Sequence, residues 1–162
     1  MPRRPHLRLA GLALPLTLLA AGCGGPVRVD VPELSDADRA ACDAFAADLP
    51  DTLYDEERVD VEPADAPAAA YGDPAIVVRC GVAKPEGFDL TASCESANGV
   101  GYYIPDEQYD DQDLDLTLTA AGYRPRVEVT IPARYRPNAG PAAMAVLAPL
   151  VTKHLTLVDD CS

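Results

Sequence analysis

Apolar residues occupy every second position in two stretches of the second half of the chain. Residues 114–118 alternate leucine with aspartate and threonine, and residues 127–131 alternate valine and isoleucine with glutamate and threonine. Successive side chains of a β-strand point to opposite faces, so each stretch predicts a strand with one apolar face. The segment between them, residues 120–125, contains glycine and proline and is short enough for a hairpin.

Three further segments have the character of strands. Residues 75–78 form a continuous apolar run, which is typical of a strand buried in the middle of a sheet. The Asn-Gly pair at 98–99 is a strong turn signal because both residue types tolerate a positive φ, and residues 100–104 after it predict a strand. Residues 59–61 alternate valine with aspartate and indicate a short edge strand.

Two segments show the spacing of amphipathic helices. The first begins at Ser35, a favourable N-cap, has acidic residues in its first turn, and ends at Pro50. The second covers residues 141–155 and contains Pro149, which predicts a kink because proline donates no backbone hydrogen bond. The apolar stripes are Cys42, Phe45 and Leu49 in the first helix, and Met144, Leu147, Val151 and Leu155 in the second.

The elements follow the order helix, several strands, helix. One-sided strands need a cover on their apolar face, and two helices can supply it. We therefore expect a single α+β domain over residues 35–162, with an antiparallel sheet of about four strands and an N-terminal and a C-terminal helix packed on one face. A chain of this length can form a real hydrophobic core.

The first 22 residues have the organisation of a secretory signal peptide. Three arginines and no acid precede an apolar run at residues 9–19, which is shorter than the ~20 residues that span a bilayer. Small residues then lead to Cys23, as in a bacterial lipoprotein signal. We expect cleavage between Gly22 and Cys23, and a diacylglyceryl group on the Cys23 sulfur that anchors the protein at the extracytoplasmic face of the cell membrane.

The segment after the cleavage site predicts how far the domain lies from the membrane, and the net charge indicates which partners suit it. Residues 23–34 predict a flexible tether of roughly 18 Å. The formal net charge is −13, and loss of the three signal-peptide arginines lowers it to −16. Such an acidic domain is unsuited to nucleic acid, whose phosphates require Lys and Arg. The charge favours solubility and also suits a cationic or a protein partner in the cell envelope.

Four of the five cysteines remain if Cys23 is lipidated. An even number of cysteines in an exported domain predicts two disulfide bonds, here among Cys42, Cys80, Cys94 and Cys161. Their spacings of 38, 14 and 67 residues, without a C-x-x-C pair, argue against a structural zinc site. We predict no metal and no cofactor.

The sequence contains no recognisable catalytic constellation. No serine lies in a G-x-S-x-G motif, and His154, the only histidine after the signal, lies in the last turn of a predicted helix, where it suits the helix dipole. The acidic run at 106–115 lacks the glycine and glutamate that an EF-hand loop requires, so we interpret it as a solvated loop. Four tyrosines are interpreted as core or rim residues rather than as a ligand groove: Tyr102, Tyr103, Tyr123 and Tyr135.

Several short elements resemble those of an uncharacterised family of bacterial lipoproteins, catalogued as domain of unknown function 3515. The elements are Tyr71-Gly72-Asp73-Pro74, Ile76-Val77-Val78-Arg79-Cys80-Gly81-Val82, Asn98-Gly99-Val100, and Tyr123-Arg124-Pro125 leading to Val127-Glu128-Val129. The likeness covers roughly residues 36–155. The chain departs from the family pattern at Tyr71 and Tyr102, where many members have Trp, and in its additional Cys94 and Cys161. The resemblance implies an anchored envelope protein of unassigned function and supplies no catalytic residues.

The resemblance also implies a disulfide pairing. The family pattern has one cysteine in the first helix and one in the Arg-Cys-Gly strand, which here are Cys42 and Cys80. Cys94 and Cys161 then form the second bond. The alternative pairing joins Cys80 to Cys94 and Cys42 to Cys161.

These observations together predict a membrane-anchored extracytoplasmic lipoprotein. Because no catalytic constellation is present, we expect a binding or accessory protein of the cell envelope rather than an enzyme. Two alternatives are an extracytoplasmic hydrolase that uses paired carboxylates and a carrier of a small ligand that uses the tyrosines.

Overall fold

The structure is a computed structural model that describes residues 25–89, 91–136 and 138–161. The predicted signal peptide, its cleavage site after Gly22 and the predicted lipidation of Cys23 lie outside the described residues. In chain order the elements are β1 (Val27–Arg28), α1 (Asp36–Ala47), β2 (Thr52–Leu53), β3 (Glu56–Val59), β4 (Val61–Glu62), β5 (Ala68–Tyr71), β6 (Ile76–Val82), β7 (Cys94–Ala97), β8 (Val100–Tyr103), α2 (Glu107–Asp110), β9 (Leu116–Thr119), β10 (Tyr123–Arg124), β11 (Arg126–Ile131), a 3₁₀ helix (Ala133–Tyr135), α3 (Ala139–His154) and β12 (Thr156–Leu157).

An antiparallel sheet of eight strands forms the centre of the fold, in the order β2-β3-β5-β6-β11-β9-β8-β7. The two long strands β6 and β11 lie next to each other in its middle. Each turns alternate residues towards one face, as a period of two requires. The buried set is Ile76, Val78 and Cys80 in β6, and Val127, Val129 and Ile131 in β11.

The predicted α+β class is confirmed, but the expected sheet of about four strands is too small. Strand β5 is buried at all four positions and shows no alternation, and β2 has only two residues. Neither strand carries the periodic pattern that identifies a one-sided strand. Pairing with their neighbours nevertheless satisfies backbone groups, which makes such short strands favourable once the longer strands are in place.

Helices α1 and α3 share one hydrophobic cluster with the inner face of the sheet. The Oγ atom of Ser35 accepts a hydrogen bond from the backbone N–H of Asp38 (3.2 Å), which is the predicted N-cap interaction. Helix α3 begins two residues earlier than predicted, at Ala139, and contains Pro149. Both predicted stripes are buried in this cluster: Cys42, Phe45, Leu49, Met144, Leu147, Val151 and Leu155. No helix within the described ranges is long and apolar enough to cross a membrane.

A smaller cluster lies on the outer face of the sheet, opposite the helices. Tyr102 and Tyr103 are neighbours in β8 and therefore point to opposite faces. Tyr102 belongs to the main cluster, and Tyr103 packs in the smaller one with Phe88, Ala121 and Cys161. The C-terminal segment closes over this cluster through the pairing of β12 with β10.

Two disulfide bonds connect these layers. Cys42–Cys80 joins α1 to the central strand β6, with a Cα–Cα distance of 5.4 Å. Cys94–Cys161 joins the edge strand β7 to the C-terminal segment, with a Cα–Cα distance of 5.8 Å. This is the pairing that the family resemblance implies, and a native disulfide typically contributes ~2–4 kcal/mol to stability.

The segment expected to be a flexible tether is in part attached to the domain. Strand β1 pairs in parallel with β4, and Val29 is buried. Leu34 packs against the main cluster, at a place where Gly81 carries no side chain that would obstruct it. The structure therefore differs from the expected tether over residues 27–34, because the apolar side chains in this segment find a surface on which to bury.

Candidate functional site

The tyrosines considered for a ligand groove serve to pack the domain. All four are at most 7% exposed: Tyr102, Tyr103, Tyr123 and Tyr135. The hydroxyl of Tyr102 donates a hydrogen bond to the backbone carbonyl of Met144 (3.4 Å), and that of Tyr135 donates to Pro74 (3.1 Å). Burial raises the pKa of Tyr102. The interpretation of these residues as core or rim is confirmed, and they leave no aromatic groove for a ligand in the part of the chain that the structure describes.

His154 belongs to a surface link between the C-terminal ends of α1 and α3. The Oδ2 atom of Asp48 accepts a hydrogen bond from Nζ of Lys153 (2.6 Å) and lies 2.7 Å from Nε2 of His154. These hydrogen bonds, that of Lys153 first, hold the pKa of the Asp48 carboxyl below its ordinary value. The geometry gives His154 the role of joining two helix ends.

The acidic run at 106–115 folds around the short helix α2 and is held by its own side chains. Asp111 accepts a hydrogen bond from the backbone N–H of Asp113 (2.9 Å), and Asp115 accepts one from that of Ala133 (3.0 Å). Arg136 donates hydrogen bonds to backbone carbonyls of the same run. Within residues 25–89, 91–136 and 138–161, no group of three or more His, Cys, Asp and Glu side chains is arranged to hold a metal ion.

An open cleft of about 760 Å³ separates α1 from strands β3, β4 and β5. Asp43, Asp60 and Asp65 line it together with Arg58, and all four residues are exposed. A carboxyl group acquires the raised pKa of a general acid through burial or through a close second carboxylate. Exposed carboxylates beside an arginine lack the burial, so this cleft gives no support to hydrolysis by paired carboxylates.

Basic side chains converge in a different place, on the outer face of the sheet. A cavity of about 270 Å³, which we call the basic pocket, is lined by Lys84, Phe88, Asp89, Arg124, Arg126 and Asp159. Val127 is buried in the main cluster, so the preceding Arg126 lies on the outer face. Lys84 lies just beyond the end of β6, and Asp159 lies in the C-terminal segment. Three separate segments therefore build the pocket.

The two arginines of the basic pocket are held by the backbone carbonyl of Ala121. Arg124 donates a hydrogen bond to this oxygen at 2.8 Å, and Nε of Arg126 donates to it at 3.2 Å. Arg124 also donates to the carbonyl of Tyr123 (2.7 Å) and forms a salt bridge with Asp159 (3.2 Å). Burial, and then the positive charge of Arg124, lowers the pKa of Arg126.

The remaining donors of the basic pocket are free within the described residues. The terminal nitrogens of Arg126 donate to no described group, since its one hydrogen bond leaves from Nε. The Nζ atom of Lys84 lies 5.7 Å from the centroid of the Phe88 ring. Asp89 lines the same pocket, and hydrogen bonds from Thr91, followed by a smaller contribution from the charge of Lys84, lower the pKa of its carboxyl. A guanidinium fork and an ammonium group with free donors can bind an oxyanion.

Sequence reasoning missed the basic pocket. The Tyr123-Arg124-Pro125 element is distinctive in the sequence only through the family resemblance. Two arginines two positions apart are a usable signal in so acidic a chain, but Lys84 and Asp159 join them only through the fold.

The fold and its cross-links define the protein as a disulfide-linked α+β domain with a basic pocket on the outer face of its sheet. Residues 12–159 match a family model described as a protein of unknown function, DUF3515. The chain belongs to this family. No curated protein and no solved structure matches the chain.

Proposed function

We propose that the protein is a membrane-anchored extracytoplasmic lipoprotein that acts as a binding or accessory protein of the cell envelope. The observation that carries the proposal is the state of the cysteines. All four described cysteines are paired in disulfide bonds. Disulfides of this kind persist in oxidising compartments outside the cytosol. Cys23 is then the one cysteine of the sequence outside these pairs, at the position where a lipoprotein signal carries its acyl acceptor.

A binding role is supported by the character of the surface. The basic pocket holds two arginines in fixed positions through backbone carbonyls, which is an arrangement suited to recognition. The open cleft between α1 and strands β3, β4 and β5 presents exposed carboxylates and has a wide opening, which suits a cationic segment of a partner. Neither surface presents a histidine or serine beside a base among its lining residues.

The anchor is tested on the protein extracted from membranes of cells that express the full chain. We expect mass spectrometry to identify an N-terminal peptide that begins at Cys23 and carries a diacylglyceryl group. The variant Cys23→Ala should incorporate no labelled fatty acid, whereas Gly25→Ser, two positions away, should incorporate it as the wild type does. An unmodified Cys23 in the mature protein contradicts the anchor. Free thiols at all four of the other cysteines in the freshly isolated native protein contradict the location in an oxidising compartment.

The binding role is tested separately by cross-linking in intact cells. We expect the wild type to be recovered with a specific envelope component or ligand, and the Cys23→Ala variant, which lacks the acyl acceptor, to lose it. Repeated failure to recover any partner or ligand from the wild type contradicts the binding role.

A further inference from the structure

We propose that the basic pocket binds a phosphate group, which is held by Arg126 and Lys84 and positioned by Arg124. The inference rests on the proposed binding role of the protein, because it supplies the ligand class of that role. It does not depend on the lipid anchor.

The first argument is the distribution of charge. The chain has 26 acidic against 13 basic side chains, yet a single cavity of about 270 Å³ is lined by three basic residues and only two acidic ones, Asp89 and Asp159. Two of them, Arg124 and Arg126, share the carbonyl oxygen of Ala121 and are therefore close enough to repel each other. An anion bound between Arg126 and Lys84 would offset this repulsion.

The second argument is that the three cations differ in how many of their hydrogen-bond donors are already used within the protein. Arg124 uses its donors on two backbone carbonyls and on Asp159, so it is fixed and largely neutralised. Arg126 is fixed through Nε alone and keeps a fork of terminal N–H groups. Lys84 adds a compact charge from the segment after β6. Binding would therefore require little rearrangement of the arginines, which lowers its entropic cost.

The third argument is the shape of the donor set. A planar carboxylate is matched by a single guanidinium fork, whereas a tetrahedral phosphate accepts hydrogen bonds from several directions. Here a fork and an ammonium group approach from different chain segments. The cavity is several times larger than the ~30 Å³ that one water molecule occupies in the liquid, so it has room for a phosphate group and its hydration.

A neighbouring arginine shows the contrast. Arg79 also lies on the outer face, in β6, and its guanidinium is 2.5 Å from the carboxylate of Glu128 on β11. The Glu128 side chain is only 16% exposed, so this pair is half-buried and already satisfied. Lys84 and Arg126 interact with Asp89 and Asp159 of the pocket through their charges but make no ion pair of this close geometry among the described residues.

The experiment is isothermal titration calorimetry of the full-length protein in a neutral detergent. Inorganic phosphate is one probe, and dihexanoyl phosphatidylglycerol below its micelle concentration is the other. We expect one of them to bind to the wild type, with an affinity that falls as salt is raised. The variants Lys84→Gln and Arg126→Gln should each weaken binding at least about tenfold, since each removes a charge-assisted hydrogen bond. The control Arg39→Gln removes the same charge from a half-buried position on α1, outside the pocket lining, and should bind as the wild type does.

The outcomes separate the two sources of phosphate. Tighter binding of inorganic phosphate supports a soluble phosphate ligand, and tighter binding of phosphatidylglycerol supports a lipid headgroup. Lys84 makes no described hydrogen bond, so Lys84→Gln should fold normally and remains informative if Arg126→Gln does not. Three results would overturn the proposal: neither probe binds, both pocket variants bind as the wild type does, or acetate binds as tightly as phosphate. A failed anchor test leaves phosphate binding unchanged, and failed phosphate binding leaves the anchor unchanged.

Discussion

The disulfide bond between Cys42 and Cys80 allows chain entropy and core packing to be weighed against each other. Replacing both cysteines by alanine removes a cross-link between residues 38 positions apart. The chain-entropy model values that loop at about 3.9 kcal/mol. Both cysteines are also buried in the main cluster, at 0 and 1% exposure. The loss of two buried sulfur atoms adds roughly 1–2 kcal/mol through lost transfer energy and incomplete filling of the cavity.

The matched comparison is the double variant Cys94→Ala with Cys161→Ala. Its loop is longer, at 67 positions, and the same model values it at about 4.4 kcal/mol. Cys94 is half-buried at the edge of the sheet, and Cys161 is buried at 8% exposure but packs only in the smaller cluster, so less packing is lost than at Cys42 and Cys80. Packing should therefore reverse the order that chain entropy alone predicts. We expect the Cys42/Cys80 variant to lose about 5–6 kcal/mol and the Cys94/Cys161 variant about 4.5–5 kcal/mol.

Urea unfolding of the oxidised wild type and the two double variants measures these free energies. The two losses differ by roughly 0.5–1 kcal/mol, which at a slope of about 1–3 kcal/mol/M separates the two urea midpoints by about 0.2–1 M. A larger loss in the Cys94/Cys161 variant, with unchanged slopes of the unfolding free energy against urea, would refute the argument that core packing decides the order.

Three further predictions concern the caps and contacts of the fold. Ser35→Ala should lower the free energy of unfolding by about 1 kcal/mol, measured by urea unfolding, because the N-cap hydrogen bond to Asp38 is lost; no change would mean that water replaces the cap. Asp48→Asn should be less stable than the wild type near pH 6, and this difference in stability should shrink as pH falls below the ordinary value of 3.8 and through the lowered pKa of Asp48, because the wild type then loses the charged form that Lys153 and His154 stabilise. Thermal unfolding of both proteins between pH 2 and about 6 measures the difference, and a difference independent of pH contradicts the prediction. Gly101→Ala should loosen the C-terminal segment, because a methyl group at this position overlaps the backbone carbonyl of Cys161. Hydrogen exchange should then accelerate at the amides of Val158 and Asp159, which donate to the carbonyl of Gly122. The control Gly25→Ala, whose methyl group meets open space, should leave these exchange rates unchanged.

The inner face of the sheet and the helices could be predicted because burial leaves a periodic trace in the sequence. The alternation over 127–131 and the stripe from Met144 to Leu155 coincide with residues of the main cluster. The size of the sheet could not be predicted, since β5 is buried on both faces and its alanines carry no alternation. Burial on both faces depends on what covers the strand, and this is a property of the tertiary structure.

The basic pocket could not be predicted from the sequence, because the net charge of the chain is strongly negative. A formal charge of −13 directs attention to cationic partners and away from anions. Net charge, however, says nothing about where the few basic residues lie. Arg124 and Arg126 are separated from Lys84 by about 40 positions in sequence, and only the register of β6 with β11 brings these segments together. The electrostatic field in the basic pocket is set by the charged residues within a Debye length of ~8 Å, and acidic residues farther away are screened by salt.

The attachment of residues 27–34 changes how the proposed anchor would present the domain. A free tether up to residue 34 would hold the domain roughly 18 Å from its lipid. With β1 paired to β4, Val27 is only four positions after Cys23, and a fully extended chain over four positions spans at most about 14 Å. The domain would then lie within one to two Debye lengths of the headgroups. At that distance an acidic protein is repelled by an anionic bilayer, so the charges near β1 and β4, and not the length of a tether, would decide which face of the domain turns outwards.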